Sequence, residues 1–583
     1  MSFASELSLM RWAMGVGIGS GGWRSAWLGC LLAICWVSGV GTTRAENPQK
    51  LVVGKVWTGD PSQPWAEAVA IDGERIVFVG DREKAAAQLS SQAQVIDAGH
   101  GLVVPGMIDS HIHMLDGGLH LASVQLRDAG TKEEFIRRIA EFAKLPRREG
   151  RWITGGDWDH TLWGGELPDR AWIDAVTPDT PVWILRLDGH MALANTAAMR
   201  AAGVEDDVKD VDGGEIVRDA AGRPTGIFKD NAMSLIGDAE PTLSISERVA
   251  AAVEAMKYLN AQGVTSVHHM GTWSELDVFR LAHRQGLLTV RIDAYTPLGQ
   301  WKRLADEVKR AGRGDDWLRI GGLKGFVDGS LGSHTAAFLA PFDDAPRDRG
   351  LLVNTAEDLE TWSAAADKAG LQLAVHAIGD RAIRLQLDVF ERVAKLNGER
   401  DRRFRIEHSQ HIDPADIARF AELGVIASMQ PYHAIDDGRW AERLIGARRC
   451  ETTYAFRSLL DGGARLAFGS DWFVAPATPL EGIDAAVNRR TLDGKNPDGW
   501  VPAQRISAAE ALQAYTSDAA YAAFREKDLG TLEAGKFADV VIVDRDIVDG
   551  DRNDLGKADV KLTMVGGRIV YQRPDGENSE AKN

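Results

Sequence analysis

The chain has 583 residues, with 84 acidic against 67 basic side chains and a formal charge of −17 at pH 7. Apolar residues make up 44% and charged residues 26%, which is the composition of a chain with a large buried core and excludes wholesale disorder. The acidic balance argues against non-specific binding to nucleic acid or to anionic membrane surfaces, and three cysteines exclude a disulfide scaffold.

The first element in chain order is an address. Residues 26–37 form an uncharged apolar run, preceded by Arg11 and Arg24 and followed by small residues up to Thr43-Arg44-Ala45. Basic, apolar and small-residue stretches in that order read as a secretory signal over 1–45, cleaved after Ala45. The run stops short of the roughly 20 apolar residues of a transmembrane helix. The expected destination is export, periplasmic or secreted, with no stable membrane insertion after cleavage. A membrane tether through an uncleaved anchor is the competing reading. Cys30 and Cys35 leave with the signal, so Cys450 stays alone.

Short β-type runs follow at 51–57, 68–71 and 75–80, with Asp72-Gly73 as a hairpin turn signal, and then at 94–97 and 101–104. Runs of the same style close the chain at 538–544, 560–565 and 568–571. Strands at both ends predict one small β-sandwich domain assembled from 46–106 and 526–575, with a disordered tail at 576–583. Between them, apolar runs at 107–111, 266–269, 289–294, 320–326, 371–376, 404–408, 425–429 and 465–468 alternate with helical stretches. Eight such strands predict an α/β fold, a (β/α)8 TIM barrel built from 107–115 and 245–525. The single long gap, 116–244, predicts an inserted subdomain after barrel strand 1. Five tryptophans from Trp152 to Trp183 lie in it; packing of the insertion and lining of an apolar pocket both account for them.

Catalytic groups in such a barrel sit at the carboxyl ends of the strands. Strand 1 ends in Asp109-Ser110-His111-Ile112-His113, where alternation puts His111 and His113 on one face. Strand 4 carries Lys324, strand 5 ends at His376, strand 6 at His408, and strand 8 runs into Gly469-Ser470-Asp471. A lone His-x-His is weak evidence. Four imidazoles and a carboxylate converging on strand ends are stronger, because buried imidazoles without partners are costly. The set predicts one or two divalent metals per subunit, zinc by ligand chemistry.

These residues resemble the amidohydrolase superfamily of metal-dependent hydrolases. The resemblance rests on Pro105-Gly106-Met107-Ile108-Asp109-Ser110-His111-Ile112-His113, His376-Ala377-Ile378-Gly379-Asp380, Glu407-His408-Ser409 and Gly469-Ser470-Asp471-Trp472. The long insertion, Lys324 with Asp328-Gly329-Ser330, and Ser428-Met429-Gln430-Pro431 are similar to its amidohydrolase-3 or YtcJ-like branch. Together they cover residues 50–572. The resemblance implies that His111 and His113 bind a first metal with Asp471, that His376 and His408 bind a second, and that Lys324 bridges them as a CO2-derived N-carboxylysine. It implies hydrolysis of a C–N bond (amide, N-acyl or cyclic amide) by metal-activated hydroxide, with Asp471 as general acid/base. Asp188, His190, Asp328, Ser330 and His334 are candidate contacts to a small-molecule substrate. Deamination and ester or carbamate hydrolysis on the same site stay open, as do a non-catalytic regulatory protein on the same barrel and a homodimeric assembly. Phe473 departs from the family pattern, where proline is common.

Overall fold

Eight parallel strands run side by side in the computed structural model. From strand 1 to strand 8 they are Met107–Ile112, Val264–Met270, Arg291–Pro297, Leu318–Phe326, Gln372–Ala377, Arg405–His408, Ile426–Met429 and Leu466–Phe468. Each predicted barrel run is a strand, displaced by three residues at most at either end. Strands 1 and 2 are buried at every position, as expected for parallel strands covered by helices. The described residues are 48–145, 150–186, 191–211 and 214–574. The expected signal, Asp188, His190 and the tail at 576–583 lie outside them.

The seam between strands 8 and 1 is closed by the segment that follows strand 8. Asp471 N donates to His111 O at 2.7 Å and Ser470 N to Asp109 Oδ1 at 3.0 Å. The Ser470 hydroxyl donates to Asp109 Oδ2 at 2.5 Å. A Cβ on Gly469 would lie 2.4 Å from His111 N and 2.7 Å from Asp109 Oδ1, so a side chain there would push the seam open. The Asp-Ser-His-Ile-His and Gly-Ser-Asp motifs are therefore one physical unit, although some 360 residues separate them.

The chain ends share a second sheet of seven strands, in the order Arg568–Gln572, Val560–Val565, Val540–Val543, Gln94–Pro105, Lys50–Trp57, Trp65–Asp72, Arg75–Gly80. Val52, Val56, Val69, Ile71, Val103, Val540 and Met564 bury a core of its own. The two runs expected at 94–97 and 101–104 are one strand. Its partner pairs Val53 with Asp97 and Lys55 with Leu102, so residues 98–101 bulge out of register instead of ending the strand. Asp539 ties this sheet to the barrel. It accepts from Arg291 Nε (2.8 Å) and Nη2 (3.1 Å) on strand 3 and from Gly566 N (2.7 Å).

The insertion forms a third sheet, ordered Gly214–Arg218, Pro224–Asp230, Met191–Ala194, Trp183–Arg186, Gly155–Trp158, Val124–Gln125. Its tryptophans pack within it: Trp158, Trp163 and Trp172 join Phe135 and Ile139, and Trp183 joins Phe228 and Ile236. Among the described residues, no helix is long and apolar enough to cross a membrane.

Candidate metal centre

Strand ends bring His111, His113 and Asp471 together, with one ligand atom of each within 4.8 Å of the others. Asp471 Oδ1 lies 3.3 Å from His113 Nε2 and 3.5 Å from His111 Nε2. Lys324 Nζ, from strand 4, is 3.0 Å from His111 Nε2. The His408 ring lies 4.7 Å from that of His111 and 4.5 Å from that of His376, centroid to centroid. Asp471 and His408 hold left-handed backbone, at φ 60° and 74°. Such conformations cost energy away from glycine and collect at functional sites, where surrounding contacts hold them in place.

A deeper layer orients the imidazoles. Glu407 Oε2 sits 2.5 Å from His111 Nδ1. It anchors that nitrogen as the N–H donor and turns Nε2 toward Lys324 and Asp471. Arg405 holds Glu407 in turn, through Nε to Oε1 (2.7 Å) and Nη2 to Oε2 (3.0 Å). Arg405 Nη1 lies 2.8 Å from His268 Nδ1, and both side chains are buried. Gln430 Oε1 meets His408 Nδ1 at 2.9 Å, leaving His408 Nε2 for the site. His376 Nε2 meets Gly329 O at 3.0 Å, so its Nδ1 is the nitrogen left over.

Charge states follow from burial and neighbours. Burial, and Lys324 beside it, push the His111 imidazole down to about 4. Burial and the His376 ring keep His408 neutral, well below the usual histidine range. Burial alone would raise Asp471, but His113, His111 and His408 outweigh it and keep the carboxyl ionised. Burial lowers Lys324 to about 8, against the pull of Glu407 and Asp471. Neutral imidazole nitrogens facing an ionised carboxylate are the donor set that zinc and similar divalent cations take. His433 Nε2 is also buried beside them and, among the described residues, has no hydrogen-bond partner. The residues fit a cation.

The expected substrate contacts fare differently. Asp328 is buried and accepts from Ala337 N (2.8 Å), Ile378 N (3.0 Å) and Gly379 N (2.9 Å). Its Oδ1 also lies 3.4 Å from His376 Nε2. His334 pairs with Asp344 (3.0 Å) and packs on Phe342. Ser330 is exposed and bonded to the Ser333 hydroxyl at 2.8 Å. Asp188 and His190 lie outside the described residues. Sequence reasoning missed the roles of Glu407, Gln430 and His433. The signal for the first two was present, since each lies inside a motif already singled out.

The family model for the amidohydrolase family matches residues 94–571. The chain belongs to the amidohydrolase family. It is 41% identical over 531 residues to the protein LONG AFTER FAR-RED 3 of Arabidopsis thaliana, covering 89% of this chain and 90% of that one. It is 29% identical over 524 residues to the putative amidohydrolase YtcJ of Bacillus subtilis, covering 87% and 96%. It is 28% identical over 541 residues to the N-substituted formamide deformylase of Arthrobacter pascens, covering 90% and 98%. This amidohydrolase therefore falls in the YtcJ-like branch. A solved metal-dependent hydrolase from Pyrococcus horikoshii superposes with a TM-score of 0.72 at 30% identity, over 87% of this chain and 99% of that one.

Proposed function

We propose that this amidohydrolase is an exported, metal-dependent hydrolase of a C–N bond in a small molecule, an amide, N-acyl compound or cyclic amide. The observation that carries the reading is the convergence of His111, His113 and Asp471 at the barrel mouth, with Lys324 3.0 Å from His111 Nε2. His111, His113 and Asp471 would hold one divalent cation. Bound there, a cation supplies Lewis acidity toward a carbonyl and lowers the pKa of water to about 7.

The chain's own residues do the rest. Asp471, ionised, takes a proton from the attacking water and hands it to the leaving nitrogen, a positioned acid–base role that contributes about 10²–10⁴-fold. Glu407 and Gln430 keep the imidazoles in the tautomers that present Nε2. Burial holds a share of Lys324 in the neutral amine form that reacts with CO2, which supports an N-carboxylated Lys324 that would add an oxygen donor to the site. A cavity of about 380 Å³ opens beside His113 and Lys324, walled in part by Met270, Leu298 and Trp362 and edged by Asp116. That volume suits a small, largely apolar substituent. Export is supported by the order of charged, apolar and small residues in the first 45.

The test is a screen of metal-analysed protein, residues 46–583, against N-substituted formamides, N-acyl amino acids, cyclic amides, esters and deaminase substrates. Turnover of a C–N amide that a chelator abolishes and zinc restores is expected. Protein that binds no metal after expression with zinc or manganese refutes the reading.

A further inference from the structure

The cavity beside His113 and Lys324 has a polarity of its own. Strand 1 runs into His113, which starts the helix Met114–Leu121. Met114 N donates to His269 Nδ1 at 3.1 Å. A Cβ on Gly117 would lie 2.4 Å from the Trp472 ring, and one on Gly118 2.3 Å from Ala251 O, so the helix is clamped on that side. Asp116, in its first turn, stands on the wall of the cavity. Its carboxyl is half-buried and, among the described residues, takes part in no hydrogen bond or ion pair. Burial first, and Glu275 after it, raise that carboxyl above the ordinary carboxylate value, against His113 and Arg248. Arg248 Nη2 donates to the Ser274 hydroxyl at 3.4 Å instead. Glu275 is occupied, since its Oε2 accepts from Thr272 N (2.6 Å) and from the Thr272 hydroxyl (2.7 Å). Lys324, also on the wall, is directed to His111 Nε2. Asn354 Nδ2 donates to Phe326 O at 2.9 Å, which leaves its amide oxygen as an acceptor. The rest of the wall is largely apolar and includes the Trp362 ring. A free carboxylate, an amide oxygen and an aromatic ring around an apolar space are the surroundings that an alkylammonium takes, through charge-assisted hydrogen bonds and cation–π attraction. A neutral end group filling the same space would bury Asp116 without a partner, at a cost.

We propose that Asp116 is a specificity residue: the cavity takes an arm of the substrate that ends in an ammonium on an apolar stem, with the charge on Asp116. The proposal deepens the hydrolase reading above and rests on it for the position of the scissile amide. An acid in the first turn of a helix also meets the positive end of the helix dipole. That role is blind to the substrate, which is what the test exploits.

The test uses residues 46–583 loaded with zinc and two pairs of amides in which an ammonium replaces a terminal methyl. The mono-formamide of a terminal diaminobutane and N-pentylformamide carry the stem on the nitrogen side. The N-methylamides of ω-aminopentanoic and hexanoic acid carry it on the acyl side. In at least one pair the wild type is expected to favour the ammonium-ended amide by about 10-fold or more in kcat/KM, the worth of a charge-assisted hydrogen bond. Asp116→Asn is expected to bring that ratio to about one or below, with the change in KM rather than in kcat. A dipole role alone would affect both members of a pair alike. A wild type that does not favour the ammonium-ended amide in either pair, or a ratio that survives in Asp116→Asn, overturns the proposal and leaves the hydrolase reading standing. Calorimetric binding of pentylammonium against pentanol separates the two readings where no amide is turned over. Tighter binding of pentylammonium that Asp116→Asn abolishes then keeps the site and sinks the hydrolysis. No turnover and no difference between the two probes sinks both.

Discussion

Replacing Glu407 by Gln tests the layer beneath the imidazoles. Glu407 is fully buried, 2.5 Å from His111 Nδ1 and doubly bonded to Arg405. Burial would raise its carboxyl, but the Arg405 guanidinium and His111 outweigh that and hold it below the usual carboxylate range. The amide keeps the shape and one acceptor but removes the charge. Arg405 is then a buried cation without its anion, and breaking a buried pair in this way costs about 3–5 kcal/mol. An amide that still accepts from Arg405 puts the loss near the lower end, about 3 kcal/mol. With an unfolding entropy of about 2.1 cal/mol/K per residue over some 530 residues, that is a fall of about 3 °C in midpoint. The amide also presents N–H to His111 Nδ1, which favours the tautomer whose Nε2 carries the proton. Metal affinity is expected to drop about 10–100-fold. The sign of the pH dependence follows from the depressed carboxyl. Its stabilisation is present above the unfolded value of about 4.3 and is lost as pH falls through the folded value, so wild type and variant converge in acid. Calorimetry from pH 2 to 8 and zinc titration are the assays. A variant that melts with the wild type at pH 7 and binds zinc equally well refutes the argument.

Asp471→Asn is expected to melt within a few degrees of the wild type and to lose turnover by about 10²-fold or more; near-wild-type rates remove Asp471 from the acid–base role. Burial pushes Asp437 up to about 7, against hydrogen bonds from Tyr454 (2.6 Å) and Gln410 (2.9 Å). Between pH ~4 and ~7 the folded chain keeps that proton and the unfolded chain does not, so this group lowers stability as pH rises, by up to about 4 kcal/mol. Asp437→Asn should therefore be more stable than the wild type at pH 8 in urea unfolding, with the gap closing near pH 4.5; a gap that widens in acid contradicts this. Asp539→Ala strands the buried Arg291 and should cost about 3 kcal/mol or more. A variant as stable as the wild type to urea would show that this clamp does not hold sheet and barrel together.

The eight barrel strands and the strands at both chain ends were legible because buried parallel strands read as bounded apolar runs, a local property. The strand-end placement of His111, His113, Lys324, His376, His408 and Asp471 was legible for the same reason: once a strand is placed, its carboxyl end is known. Asp328 looked like a substrate contact because its loop follows strand 4. Only the fold shows three backbone N–H groups converging on it and His376 beside it. The bulge at 98–101 was misread as a strand break because the glycines that permit it also mark turns.

The sequence by itself determined the barrel, the composite sheet, the insertion and the residue types at the site, all of which rest on local patterns of polarity and spacing. The tertiary structure decided which nitrogen of each histidine faces the site, that Glu407 and Arg405 stand behind His111, that Gly469 must be bare for strand 8 to meet strand 1, and that His433 reaches His408 and Asp471. Those are contacts between residues far apart in the chain. Their distances depend on how strands and loops are stacked, and no local pattern carries that information.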